Sequence, residues 1–150
     1  VAEIAEACGA TVVYNNFNQE ISGLLFRESG KLIIGVASEQ SKVRQRFTIA
    51  HELGHALLHQ MVNVHVDKNF TVMFRSPASS TAQDVYEIEA NTFAAELLMP
   101  ESLLKDDLLT LKLNMEDDKQ LSMLASRYGV SNQALTYRLL NLISRNRIRI

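Results

Sequence analysis

Only one cysteine, Cys8, occurs among the 150 residues, which excludes a disulfide within the chain and any cage of thiolates around a metal ion. A metal held by this chain must rest on histidine and carboxylate. No apolar run approaches the roughly 20 residues of a membrane-spanning helix. Nor does a basic stretch followed by an apolar one open the sequence, as in a secretory signal. Together with the lone thiol, these absences point to a cytosolic (cytoplasmic) protein without a membrane partner. Internal repeats and low-complexity tracts are also missing. The formal net charge is only -2 and the pI near 6.1, so nothing draws the whole chain toward nucleic acid. That charge is uneven, however, because residues 127–150 contain five arginines and no acidic residue. The length suits one domain with a real core and at most a small appendage.

The most informative residues are His51-Glu52-Leu53-Gly54-His55, an HExxH pentapeptide inside the run RFTIAHELGHALLH. Two histidines four positions apart lie one above the other on a helix, so both rings can reach one metal ion. Glu52 follows the first of them, where its carboxylate can reach a water on the metal and act as a general base. The pentapeptide alone is weakly specific, since a core helix with satisfied histidines also matches it. Its context favours a buried helix: Phe47, Ile49, Ala50, Leu53, Ala56, Leu57 and Leu58 are apolar, and Ser41 can cap the start. Gly54 adds to this, because glycine within a helix costs about 1 kcal/mol relative to alanine and implies a close neighbour to its backbone.

Around this helix, residues 1–8 read as a helix closed by Gly9. Thr11–Phe17, Ile21–Arg27 and Lys31–Val36 read as three short strands, with a hairpin at Glu28-Ser29-Gly30. The HExxH helix should cover about 41–60. Extended segments are expected at 62–66 and 69–75, and a polar loop at 77–81. A second long helix should run from about Ala82 to Met99 and stop at Pro100, with Val85, Ile88, Phe93, Ala94, Leu97 and Leu98 as its apolar positions. A short helical segment follows, then helices at about 117–128 and 132–144. The fold class predicted is α+β: a small antiparallel sheet packed on the HExxH helix and on a second, glutamate-bearing helix, with a helical, helix-turn-helix-like C-terminal lobe.

A catalytic zinc takes three protein ligands and keeps a position for water, so the two histidines need a partner. The longer pattern HExxHxxGxxH would need glycine at 58 and histidine at 61, where Leu58 and Met61 stand. His59 lies one further turn along the same helix and would recede from an ion bound by the first two histidines. The run Glu87-Ile88-Glu89-Ala90-Asn91 offers two carboxylates, which point about 200° apart on a helix. Glu87 is the better of the two, because it shares a face with Asn91. From there Asn91 could orient a ligating histidine through its other ring nitrogen. An added electrophile for the oxyanion is expected, with His65, Tyr86 and Tyr128 as candidates.

The segments RFTIAHELGHALLH and EIEANTFAAELLMP together resemble the signature of the ImmA/IrrE family of zinc metallopeptidases, small relatives of the thermolysin-like gluzincins. The resemblance covers most of the chain, including Ser22-Gly23-Leu24-Leu25 upstream. It implies a minimal zincin-like domain over 1–100 and a helical subdomain over 101–150 packed on it. It also implies Zn2+ held by His51, His55 and Glu87, Glu52 as the catalytic base, and Asn91 where gluzincins place an acidic residue behind a histidine. The function implied is a site-specific regulatory protease that cleaves a helix-turn-helix repressor in a mobile element or stress response.

Residues 121–139 themselves read as a helix-turn-helix. Gly129 closes one helix, Ser131 caps the next, and Ala125, Val130 and Leu135 supply the packing. Direct DNA binding is therefore a competing function, but Asn132, Gln133 and Arg138 are the only contacts the second helix offers. A DNA- or protein-binding regulator with a structural or idle zinc site, or a toxin-antitoxin partner, stands as the alternative to the peptidase.

Overall fold

The computed structural model describes residues 1–17, 21–60, 63–68, 82–111, 114–115 and 117–148. The segments expected to be extended at 69–75 and looped at 77–81 lie outside them. The described residues form an α+β structure in the order α1 (Ala2–Ala7), β1 (Ala10–Asn15), β2 (Ile21–Glu28), β3 (Lys31–Ala37), α2 (Lys42–Leu58), β4 (Val64–Lys68), α3 (Ala82–Leu98), α4 (Glu101–Leu111), α5 (Asp118–Tyr128) and α6 (Asn132–Ser144). They divide into two compact units, Val1–Ala94 and Ala95–Ile150. None of the described helices is long and apolar enough to cross a membrane.

In the first unit the sheet has the order β1-β3-β2-β4. The expected hairpin joins β2 to β3 through Ser29 and Gly30, both at positive φ, the conformation a tight two-residue turn demands. β4 pairs antiparallel with β2, but β1 runs parallel to β3, so the sheet is mixed where an antiparallel one was expected. The physical reason is topological. The β2–β3 hairpin folds back between β1 and β4, which leaves β1 beside β3 in the same direction, and no local pattern encodes that pairing. Leu25, Ile34 and Val36 of the sheet and Ile49, Ala50 and Leu53 of α2 are buried together in the core.

Both ends of α2 are tied to the sheet. At its start, Ser41 Oγ accepts from the backbone N–H of Arg44, as a cap does. The buried Gln45 donates to the carbonyls of Ala37 and Ser38 at the end of β3. At its other end, the guanidinium of Arg27 on β2 donates to the carbonyls of Ala56 and Gln60, satisfying acceptors that a helix C-terminus leaves open. Leu57 and Leu58, expected in the apolar face, are exposed, because the buried face of α2 is turned to present His51, Glu52 and His55.

Gly54 shows why glycine stands in the middle of this helix. A Cβ at that position would lie 3.1 Å from Ala90 Cα, 3.2 Å from Ala90 O and 3.2 Å from the Phe93 ring. α2 and α3 therefore approach backbone to backbone. The face of α3 turned inward is built on Ala90 and Ala94, both buried, while Val85 and Ile88, expected among its apolar positions, are exposed.

In the second unit, Asp117 caps α5 by accepting from the N–H groups of Lys119 and Gln120, and Gly129 ends it in the left-handed conformation at φ 62°. Ser131 Oγ then caps α6 by accepting from Ala134 N at 3.1 Å. Ala125, Val130 and Leu135 are buried in this turn, as their spacing suggested. Arg138, considered above as a DNA contact, is 7% exposed: it donates to Met99 O and pairs with Glu96. Asn132 is also engaged, donating to Ser122 Oγ at 2.7 Å.

Replacing Gly54 by alanine sets a helix-propensity gain of about 1 kcal/mol against an overpacking cost of roughly 1–3 kcal/mol. The neighbour that would have to yield is the backbone of α3, so Gly54→Ala should lose about 1 kcal/mol net. Urea unfolding checks this, and a more stable variant would show that α3 can retreat without cost.

Candidate metal centre

One turn of α2 separates His51 from His55, and both rings are driven into the first unit by the burial of that helix face. They are 0% and 1% exposed, and their Nε2 atoms stand 3.1 Å apart. α3 brings Glu87 to the same point, with Oε2 3.4 Å from His51 Nε2 and Oε1 3.3 Å from His55 Nε2. β4 contributes His65, whose Nε2 lies 2.9 Å from Glu87 Oε1. One donor atom from each of His51, His55, His65 and Glu87 falls within 4.8 Å of all the others.

Glu52 lies beside this cluster, fully buried. Its Oε2 is 3.1 Å from His65 Nδ1, and its Oε1 has no hydrogen-bond partner among the described residues. A Cβ at Gly23 would stand 2.3 Å from Thr48 Cγ2 and 3.1 Å from Glu52 Oε1, so the bare glycine of β2 makes room for this carboxylate. Asn91 Oδ1 is 3.1 Å from His51 Nδ1, on the side of the ring away from Glu87. Thus the structure brings His51, Glu52, His55, Glu87 and Asn91 into one constellation.

The remaining candidates fall in different places. His65 reaches the cluster. Tyr86 stacks on the ring of His59 with centroids 4.3 Å apart, and the Tyr128 hydroxyl, in the second unit, donates to Asp107 at 2.7 Å. His59 points its Nδ1 at His55 Nδ1, 3.0 Å away, and its Nε2 at Glu89 Oε2, 2.9 Å away. Membership of His65 in the donor set was not anticipated from sequence, yet a signal exists. β4 reads Val64-His65-Val66-Asp67, and the two valines are 58% and 42% exposed while His65 and Asp67 turn inward. A strand that hides its polar residues and exposes its apolar ones inverts the usual alternation, which marks a polar site beneath it.

The electrostatics follow from burying so many ionisable groups together. For His65, burial favours the neutral ring, but hydrogen bonds to Glu52 and Glu87 and their charges outweigh it and push the pKa up to about 10. Burial alone would raise the Glu87 carboxyl, yet hydrogen bonds with His51, His55 and His65 hold it far below the ordinary range. His55 goes down, first because it is buried and then because His51 and His65 repel a second positive charge, with Glu87 opposing. Asp67, buried near Glu52, is pushed up to about 6.

Two imidazoles and a carboxylate converging from two helices, with a spare buried carboxylate oxygen alongside, form a donor set that fits a divalent ion of the zinc type. Comparison with known sequences agrees. Residues 5–140 match the Peptidase_M78 family, described as the IrrE N-terminal-like domain. The chain belongs to this family. It is 34% identical over 99 residues to a protein of Bacillus phage phi105 named "Uncharacterized immunity region protein 2", an overlap of 66% of this chain and 58% of that protein. It is 29% identical over 108 residues to "Metallopeptidase ImmA" of Bacillus subtilis (strain 168), an overlap of 72% of this chain and 59% of that protein. The chain thus spans under two thirds of the length of these two relatives.

Glu87 and Glu89 make different contacts, so their variants should separate. Glu87→Ala should lose tight zinc binding, whereas Glu89→Ala should still take up one zinc per chain when zinc is in excess. Elemental analysis after dialysis checks this, and the reverse pattern would mean that the wrong carboxylate has been assigned to the ion.

Proposed function

We propose that this chain is the catalytic part of a zinc-dependent peptidase, with His51, His55 and Glu87 holding Zn2+ and Glu52 as its general base. The observation that carries this reading is the convergence of those three donors beside a fully buried carboxylate whose Oε1 is unpartnered among the described residues. When bound, the ion supplies acidification of the attacking water and polarisation of the scissile carbonyl. The chain's own residues do the rest. Glu52 takes the proton of the attacking water on its carboxylate and delivers it to the nitrogen of the leaving amine. Asn91 Oδ1 fixes the ring of His51 by accepting from its Nδ1–H. His65 is the electrophile candidate that reaches the cluster, and its ring can donate to the oxygen on which charge develops.

The substrate proposed is a protein, specifically a helix-turn-helix repressor of a mobile element. Its support is the IrrE-like family and two relatives, one named a metallopeptidase and the other an immunity-region protein of a phage. Direct DNA binding by α6 has less support, because Arg138 and Asn132 are already engaged within their own unit.

Zinc-loaded protein incubated with a repressor encoded beside it should cleave that repressor at a defined site. Glu52→Gln should lower the rate by about 100- to 10,000-fold while binding zinc as the wild type does. Unchanged cleavage by Glu52→Gln would overturn the base assignment, and no cleavage by wild type would overturn the repressor. The same protein should give no salt-dependent gel shift with duplex DNA; a shift at low salt that fades as salt rises would restore the DNA-binding alternative.

A further inference from the structure

His59 and Glu89 take no part in the chemistry above, yet they form an ordered line into it. His55 Nδ1 and His59 Nδ1 are 3.0 Å apart, and His59 Nε2 and Glu89 Oε2 are 2.9 Å apart. His55 and His59 are both buried, and the His59 ring is held flat against Tyr86, with centroids 4.3 Å and planes 28° apart. At the other end of the line, His55 Nε2 faces His51 and Glu87.

We infer that Glu89 and His59 are positioning residues for the metal ligand His55, forming a carboxylate–imidazole–imidazole relay that fixes its tautomer and ring angle. The inference rests on the reading of His55 as a zinc ligand. If Nε2 of His55 gives its lone pair to the ion, its proton must sit on Nδ1, and among the described residues the neighbour 3.0 Å away that can accept it is His59 Nδ1. His59 then carries its own proton on Nε2 and donates it to Glu89 Oε2. Each ring thus has one allowed tautomer, fixed from the outside by a carboxylate that is itself half in solvent. Groups placed in this way behind a ligating histidine hold its orientation and strengthen its donation.

The relay explains two features at once. A third histidine one turn beyond HExxH is too far along α2 to join His51 and His55 at an ion, but it is well placed to back His55. Glu87 and Glu89 diverge from the helix axis, yet Glu87 reaches the histidines of α2 and Glu89 reaches His59, the residue that caps the end of α2. The two histidines of the pentapeptide are therefore held differently: His51 by the neutral amide oxygen of Asn91, His55 by a chain that ends in negative charge.

The test is zinc affinity, measured by competition with a chromophoric chelator on the full chain, together with the rise in melting temperature that zinc produces. His59→Phe keeps the ring volume against Tyr86 and removes the acceptor. It should still bind one zinc per chain at saturation but about 10- to 100-fold more weakly. His59→Asn places an amide oxygen near the lost Nδ1 and should recover most of that loss, which a purely structural role for the ring would not produce. Glu89→Gln should weaken binding about threefold in wild type and have no further effect in the His59→Phe background. Wild-type affinity in His59→Phe would overturn the relay, as would an undiminished effect of Glu89→Gln in that background. Failure of His59→Phe to reach one zinc per chain would overturn it too, making His59 a ligand. Failure of the ligand reading itself is separable, since it appears as absent zinc binding in the wild-type chain.

Discussion

Everything in the first unit depends on how closely two helices can approach. Gly54 on α2 lies against the backbone of Ala90 on α3, with Phe93 beside it, and only a residue without Cβ leaves that spacing undisturbed. At this separation, side chains no longer than glutamate and asparagine bridge from α3 to the rings of α2. Glu87, Ala90 and Asn91 follow each other at helical spacing, so one face of α3 carries the carboxylate, the helix contact and the amide beside His51 together. A larger residue at either contact position would move the carboxylate and the amide away from both histidines at once. The sheet imposes a similar restraint from the other side, where Gly23 of β2 leaves space for Thr48 and Glu52.

The site that results is costly in stability terms. His51, Glu52 and His55 are almost completely buried, and His65, Asp67 and Glu87 are at least partly so. Desolvating ionisable groups disfavours their charged forms, and the opposite pulls on Asp67, His65 and Glu87 show how strongly the cluster has to compensate. A helix selected only for packing would put leucine or alanine at such positions. Concentrated, strongly perturbed groups of this kind mark places where chemistry rather than stability sets the residue, and the family to which the chain belongs is a peptidase family.

Much of this was legible in sequence because its signals are local. The caps Ser41 and Ser131, the stop at Gly129 and the hairpin turn at Ser29-Gly30 are encoded within a few residues of where they act. The HExxH spacing is local too, and so is the shared face of Glu87 and Asn91. What escaped depends on long-range placement. The parallel pairing of β1 with β3 follows from where the hairpin settles, not from any pattern within β1. His65 stands alone in a short strand and has no spacing relation to His51, His55 and Glu87; only the inverted alternation of Val64, His65, Val66 and Asp67 marks it. The arginine-rich C-terminal stretch was ambiguous in sequence, since a count of charges cannot show that Arg138 is folded inward onto Glu96 and Met99 O.

The relation between Asn91 and Glu89 brings these strands of argument together. By resemblance to gluzincins an acidic residue belongs at position 91, where it would lend negative charge to His51. Here asparagine supplies a hydrogen bond at that place but no charge. The carboxylate two residues earlier cannot reach His51, because successive side chains two apart on a helix diverge by about 200°. It reaches His59 instead, and through that ring it reaches His55. Asn91 thus meets His51 with a neutral amide oxygen, while the carboxylate of Glu89 stands behind His55 through His59, a residue that spacing rules alone discard as a ligand.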